Sequence, residues 1–582
     1  MNPKKLIVKT IVAPLRGLLS SMPERRQLLV LAPVVGVFCG LAAVLLKLMI
    51  HGLHSGLEMQ WGRLFLPGIG MLLSGLIVRY LVKDNIGHGV TKVLVAVSKN
   101  ESRIKGHNLW SSLLTSGITI GFGGSVGAEA PIVYTGAAIG SNLGRWMGLS
   151  YRGITILIGC GAAGAVAGIF NAPLAGILFT LEILLFNLSM SSILPLLLST
   201  VSATVVSYLL LGQATQFTCT LAPFAMRNLP YYLVLGVVCG FVGLYFVRMT
   251  LAAEDRLSKM GNSWLKWAIC AVLLGILTFL FPQLYGEGYD SLKPLLNGSL
   301  GEIPFKAGSG LLILGYFILV MLLKVFSMTF TNAGGGVGGT FGPTLFVGAI
   351  AGFVLSYGVN LIWPSSLPVA NFVLVGMAGL MASVMQAPMT AIFLIAEISG
   401  GYQLLLPLIL TSAVSYGVMR IFERYSIYTK RIAMTGELLT HDSDQAVLTL
   451  LKTGELVETD FVPVKIDATL GELVEAVSAS SRNIFPVIDS RGRFQGYVSL
   501  EDIRKDMFRT ELYQKSHVYN FMRSAPAYVL EDEPMDSVMA KFETTGAWNL
   551  PVVGENRRYI GFVSKSKIFN AYREELKDFS QD

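Results

Sequence analysis

The chain has 582 residues, 53% of them hydrophobic and 14% charged, with a formal net charge of +8. So apolar a sequence is not a solvated globule throughout, and the modest surplus of Lys and Arg fits anchoring beside anionic lipid rather than a nucleic-acid surface. Residues 1–27 (MNPKKLIVKTIVAPLRGLL, then PERRQ) read as a basic cytoplasmic arm held inside by Lys4, Lys5, Lys9, Arg16, Arg25 and Arg26. Its apolar stretch is broken and lacks a small-residue cleavage site, which argues against a signal peptide. From 28 to 430 apolar segments recur, near 28–50, 65–83, 109–121, 130–146, 152–170, 172–188, 190–212, 228–252, 264–282, 310–330, 342–362, 370–385, 387–399 and 403–421. They predict an all-α polytopic domain in the cell (inner) membrane, with both termini cytoplasmic. Segments bounded by Gly or Pro, such as 130–146 and 342–362, predict helices that start or stop inside the membrane, which is tolerated only where protein or water satisfies the freed backbone groups. All five cysteines (Cys39, Cys160, Cys219, Cys239 and Cys270) lie in this region without CxxC spacing, so they read as packing residues and no metal site is expected.

After a linker at 431–452 the composition turns to mixed charge with short alternating strands, as in FVPVKI, IFPVID and FQGYVS. PVIDSRGRFQGYVS (486–499) superposes on PVVGENRRYIGFVS (551–564) at an offset of 65, so the tail is a tandem of small α/β modules, at 453–508 and 515–576.

The membrane region is itself duplicated. GGSVGAEAPIVYTGAAIG (123–140) aligns with GGVGGTFGPTLFVGAIAG (335–352) at an offset of 212, keeping Gly123/Gly335, Gly124/Gly336, Gly127/Gly339, Pro131/Pro343, Gly136/Gly348, Ala137/Ala349 and Gly140/Gly352, and setting Glu129 against Phe341. NAPLAGILFTLEI (171–183) likewise matches QAPMTAIFLIAEI (386–398), pairing Glu182 with Glu397. Small residues recur in membrane helices simply to let them pack, but that would not keep both prolines in register with the glycines. An inverted repeat of broken helices meeting near mid-membrane is the expected architecture.

At each Gly-rich turn the backbone is free to bend, proline takes the first helical turn, where its missing N–H is no loss, and a helix follows. A helix start offers unpaired N–H donors and about half a positive elementary charge, which attracts an anion without a cationic side chain. Residues 121–144 contain no Lys, Arg or His. Glu129 places a tethered carboxylate at a site that prefers anions, so it acts as a gate that occupies the site when charged and leaves when protonated. Capping of its own helix is the structural alternative, and it is compatible with a gate. Glu182 and Glu397 read as structural acids satisfied by backbone donors. GGSVG (123–127) also fits the hydrolase pattern GxSxG, but no strand precedes it and no His and Asp partners stand out, so an enzyme is not expected. No GxxxxGK[ST] occurs, which disfavours an ATP-driven pump.

The turns, the duplication and the paired tail modules resemble the CLC family of chloride channels and proton–chloride exchangers. The family's GREGP pattern stands as GAEAP at 127–131, GxFxP as GTFGP at 339–343, and GSGIPE as GHGVTK at 87–92, and GAAGAVAGIFNAPLAGILFTLE (161–182) is similar to the family along its whole length. The resemblance implies a homodimer in the lipid bilayer with one chloride pathway per subunit and no required cofactor. It also implies gating by Glu129 and anion contacts from His88, Gly89, Glu129, Ala130, Thr340, Phe341 and Tyr428, with Tyr425 as the other tyrosine that fits. His88 stands where the family has serine; it donates an imidazole N–H to the anion, or points into packing and leaves that task to backbone amides. Lys92, where the family writes Glu, reads as an anchor. Exchangers of the family carry an inner glutamate one residue after the position of Glu182, and here that residue is Ile183, which cannot relay a proton. A gated channel with proton-uncoupled flow is therefore the leading expectation and a proton-coupled antiporter the alternative. Pro131 argues against the family's fluoride-exporting branch. The tail modules resemble CBS domains, which implies an adenine-nucleotide site at Ser499 and Asp502; in the second module Ser564 is followed by Lys567 and lacks the acid. A structural or dimerising tail is the alternative.

Overall fold

The computed structural model describes residues 17, 21–56, 62–99, 102–184, 190–212, 217, 221–300, 309–363, 367–434, 451 and 453–580. They fall into two compact units, Met1–Leu439 and Thr440–Asp582. Lys4, Lys5, Lys9, Arg16, Cys219 and most of the linker lie outside the described residues.

The first unit is helical: α1 (Glu24–Gly56), α2 (Gly62–Leu76), α3 (Gly89–Lys99), α4 (Ser111–Gly121), α5 (Glu129–Met147), α6 (Tyr151–Phe170), α7 (Pro173–Glu182), α8 (Met190–Leu211), α9 (Leu229–Ser258), α10 (Ser263–Leu280), α11 (Tyr289–Leu296), α12 (Gly310–Ala333), α13 (Phe341–Ile362), α14 (Val369–Val384), α15 (Pro388–Ile398), α16 (Leu405–Phe422) and α17 (Ile427–Met434). Among the described residues nine helical spans are long and apolar enough to cross a membrane. Two expected boundaries move. The first helix begins at Glu24 rather than 28, because Glu24 accepts hydrogen bonds from the Ser150 N–H (3.0 Å) and hydroxyl (2.8 Å) at the start of α6. The last helix runs into the expected linker, to Met434.

The duplication is present in the backbone. Gly123 and Gly335 both take positive φ (+91° and +102°), as do Asn171 and Gln386 (+57° and +54°). Crossings repeat as well: a Cβ on Gly140 would lie 1.9 Å from the Leu157 carbonyl oxygen, and one on Gly352 would lie 1.9 Å from that of Phe372. α5 on α6 and α13 on α14 are therefore backbone-to-backbone packings that only glycine permits. The halves are also stitched by their matching acids. Glu397 ends α15 and accepts the N–H groups of Leu174 (3.1 Å) and Ala175 (2.9 Å) at the start of α7. Glu182 ends α7 and accepts those of Met389 (3.0 Å) and Thr390 (2.7 Å) at the start of α15. Each half thus supplies the cap of the other, and both acids are satisfied by backbone donors as their apolar setting requires. The four described cysteines are buried free thiols.

In the second unit, β1 (Val464–Lys465), α18 (Leu470–Ala479), β2 (Ile484–Ile488), β3 (Phe494–Ser499) and α19 (Leu500–Ile503) make the first module. β4 (Val529–Leu530), α20 (Met535–Thr545), β5 (Asn549–Val553), β6 (Tyr559–Ser564) and α21 (Lys565–Ser580) make the second. In each the central strand pairs parallel with the first and antiparallel with the third, and the register slips at the same place, Val487/Ile488 and Val552/Val553. Phe485, Val487 and Val498 fill one core, and Leu550, Val552 and Val563 the other. In the second module Glu533 accepts hydrogen bonds from Lys541 (2.7 Å) and the Leu530 N–H (3.0 Å). Burial alone would raise this carboxyl, but the Lys541 and Ser537 donors outweigh it and hold it below the usual carboxylate range. A depressed folded-state value means its stabilisation is present above the ordinary Glu range near 4.5 and is lost as the pH falls below it. Glu533→Gln should accordingly flatten the acid limb of the tail's calorimetric transition in the full chain, and an unchanged limb would refute this.

Candidate anion site

The two Gly-rich turns meet. Gly127 and Gly339 form an isolated antiparallel bridge, the Gly127 N–H donating to the Gly339 carbonyl (3.0 Å) and the Gly339 N–H to that of Gly127 (2.7 Å). This bridge fixes the starts of α5 and α13 side by side. Glu129, 2% exposed, reaches across to the other turn while keeping a backbone contact at its own helix start: its Oε2 accepts the Gly342 N–H of α13 (3.2 Å) and its Oε1 the Tyr289 hydroxyl (2.6 Å). Gly127 is required for this pose, since a Cβ there would lie 2.0 Å from Glu129 Oε2 and 2.8 Å from the Gly342 nitrogen.

Beside the carboxylate lies a group of unpaired donors. The hydroxyls of Thr340 and Tyr428 are buried without a hydrogen-bond partner, each residue being 2% exposed. The two hydroxyls lie next to each other. Among the described residues no hydrogen bond falls on the N–H groups of Thr340 or Phe341. Buried donors left open in this way are costly unless an acceptor comes to them, so the donor set fits a small anion. Phe341 closes the space on one flank, its ring 5.5 Å from that of Phe170 and 6.3 Å from that of Phe179.

The remaining expected residues approach from α3 and α17. His88 has left-handed φ (+56°), and its carbonyl accepts the Lys92 N–H (3.1 Å) to open α3. Gly89 packs its Cα face against the Ala130 carbonyl, which brings the His88 turn onto the first turn of α5. Behind His88 stands the ion pair of Arg431 with Glu254 (2.6 Å). Of the two tyrosines that fit, Tyr428 is enclosed and Tyr425 is 37% exposed. Ile183 is 4% exposed and its N–H continues α7 by donating to the Phe179 carbonyl (2.9 Å).

Three residues of this site escape a reading of the sequence. Tyr289 opens α11 and Glu287 stands in the loop before it, and the Glu287 Oε1 accepts the Ala128 N–H (2.9 Å) at the start of α5. Lys324, fully buried on α12, donates to the Ser125 hydroxyl (2.9 Å) and the Gly286 carbonyl (3.0 Å). The expectation of an anion site without cations is thereby corrected: 121–144 carries none, yet α12 delivers one to its turn, because nothing in the local sequence reports a neighbour 199 residues away. The same contact explains Ser125 of the GxSxG pattern, whose hydroxyl is tied to Lys324 and, at 2.9 Å, to Ser327.

In the tail Ser499 opens α19, and Asp502 accepts the Ser499 N–H (3.2 Å) and an ion pair from Arg523. In the second module the Ser564 hydroxyl donates to Glu458, which also pairs with Arg482.

With this geometry stand the relatives. The family model described as "Voltage gated chloride channel" matches residues 69–420, and the CBS domain model matches 454–509 and 518–574. The chain is 28% identical over 387 residues to a putative chloride channel protein ClcB-like of Ralstonia nicotianae, covering 64% of this chain and 86% of that one. It is 27% identical over 449 residues to the H(+)/Cl(-) exchange transporter ClcA of Salmonella arizonae, covering 72% and 90%. A slow cyanobacterial Cl-/H+ antiporter of known structure shares the fold, with a TM-score of 0.63 and 24% identity over 71% of this chain and 98% of that one. Paired helix starts, a duplicated membrane unit and twin tail modules all converge on one assignment: the chain belongs to the CLC family of membrane anion transporters and carries a pair of CBS domains.

Proposed function

We propose that the chain exchanges chloride for protons across the inner membrane as a homodimer, with one pathway per subunit and both termini in the cytoplasm. The observation that carries this is the seat of Glu129: a carboxylate on the Gly342 N–H blocks the place an anion would take and is also the pathway's proton carrier. Protonation weakens its hold on the helix start, the side chain leaves, and chloride reaches the N–H and hydroxyl donors of Thr340, Phe341 and Tyr428, steered from the other side by Gly89, Ala130 and His88. Deprotonation on return completes a coupled cycle. Kinship with a relative named as an H(+)/Cl(-) exchange transporter supports exchange over the channel reading to which Ile183 points.

A gated channel remains the second reading, favoured by the apolar Ile183 and by the relative named as a putative chloride channel. Proteoliposomes holding a chloride gradient decide between them. Exchange requires that the gradient drive protons uphill, read with a pH electrode, and chloride flux with no uphill proton movement would return the case to the channel.

For the tail we propose an adenine-nucleotide site at Ser499 and Asp502 that forms when Asp502 exchanges Arg523 for a ribose. ATP should raise the unfolding temperature of the full-length protein, and Asp502→Ala should remove that rise. A wild-type protein unmoved by ATP would leave the tail a structural brace.

A further inference from the structure

Glu287 belongs to no motif and lies outside the aligned segments of the repeat, yet it completes a symmetrical arrangement. Glu129 departs from α5 to sit on the start of α13, and Glu287 comes from the α11 loop to sit on the start of α5, through the amide that immediately precedes Glu129. Both facing helix starts are therefore held by carboxylates contributed by other elements. Around Glu287 stand Glu129 from α5, Tyr289 from α11, Lys324 from α12 and Lys47 from α1. His54 lies against Tyr285, two residues earlier in the same loop, with ring centroids 5.4 Å apart and planes tilted by 58°. Lys324 braces the loop itself through the Gly286 carbonyl. A cap for one amide needs only a neutral acceptor. A second ionisable acid beside the gate does more, because two like charges at close range titrate as a coupled pair.

We propose that Glu287 is a second proton-binding carboxylate of the pathway, paired with Glu129, whose charge sets the pH at which Glu129 leaves Gly342. The idea rests on the reading of Glu129 given above and makes Glu287 a positioning residue rather than an anion ligand. When a proton passes within the pair, an O–H bond breaks on one carboxyl as one forms on the other, and the charge of the pair is unchanged. An ionised Glu287 disfavours a second negative charge on Glu129 and so favours its protonated, released form; without that charge, Glu129 stays seated down to lower pH.

Chloride efflux from proteoliposomes against pH tests this. Glu287→Gln keeps an oxygen for the Ala128 N–H but removes the charge, and should move the acid-activated limb to lower pH by about one unit. In a Glu129→Gln background, where the profile is already flat, the same change should leave it flat. A Glu287→Gln profile that overlays wild type would overturn the proposal and leave Glu287 a cap. Should the glutamine variant fail to assemble, Glu287→Asp and Glu287→Ala take its place: a charge role requires Asp to keep the wild-type limb and Ala to move it to lower pH, and identical profiles for the two would overturn it. The two readings fail separately. If Glu129→Gln leaves pH dependence intact, the gate assignment falls. If it abolishes pH dependence while Glu287→Gln matches wild type, only the pairing falls.

Discussion

Glu129→Ala should leave chloride efflux flat across the pH range in which the wild-type protein switches, and should end uphill proton movement altogether. A single titrating group changes its population about tenfold per pH unit away from its midpoint, so a wild-type variation of that order should collapse to within about twofold. Glu129→Gln should behave alike, because its amide keeps the shape of the side chain but has no anionic form to hold against the start of α13. The effect is large because one carboxylate performs both tasks: it occupies the Gly342 N–H and it carries the proton. Proteoliposome efflux measured at several pH values provides the check, and persistence of a wild-type profile in the alanine variant would remove Glu129 from its assigned place.

Gly140→Val and Gly352→Val should each abolish the folded protein. At both positions the added Cβ would stand 1.9 Å from a carbonyl oxygen of the facing helix, a separation that no rotamer change relieves because both partners are backbone. Overpacking of a filled core costs about 1–3 kcal/mol when side chains can yield; here two helices must part, so the loss is at the upper end or beyond. Gly315→Ala serves as control, since nothing lies within 4 Å of the place its new Cβ would take and alanine is the better helix former. Monodisperse yield after detergent extraction reports the difference. Valine variants as well behaved as the control would mean that α5/α6 and α13/α14 do not cross where described.

What the sequence makes legible is what the backbone demands. Gly123/Gly335 and Asn171/Gln386 occupy matching positions because the chain turns there with positive φ, so the repeat in letters is a repeat in dihedral angles. Likewise Glu182 and Glu397 are readable as structural acids, since an acid ending a short apolar helix must find donors. Other features are hidden because their partners lie far apart in the chain. Tyr289 reaches Glu129 across 160 positions, and Glu287 reaches Ala128 across 159. Lys324 does leave a trace, a lone charge within a 24-residue apolar helix, and such a residue inside a membrane span is itself a pointer to function. α3 is hidden for the opposite reason: GVTKVLVAVSK is apolar but too short to register as a span, yet it carries the His88 turn onto α5.

The exchanged caps of α7 and α15 have an implication for how such a molecule is built. Neither half can close its own short helix, because the acid that does so is encoded in the other. A gene fragment encoding one repeat alone would thus leave raw amide ends in oil, whereas two fragments made together in the same cell should find each other and reconstitute transport.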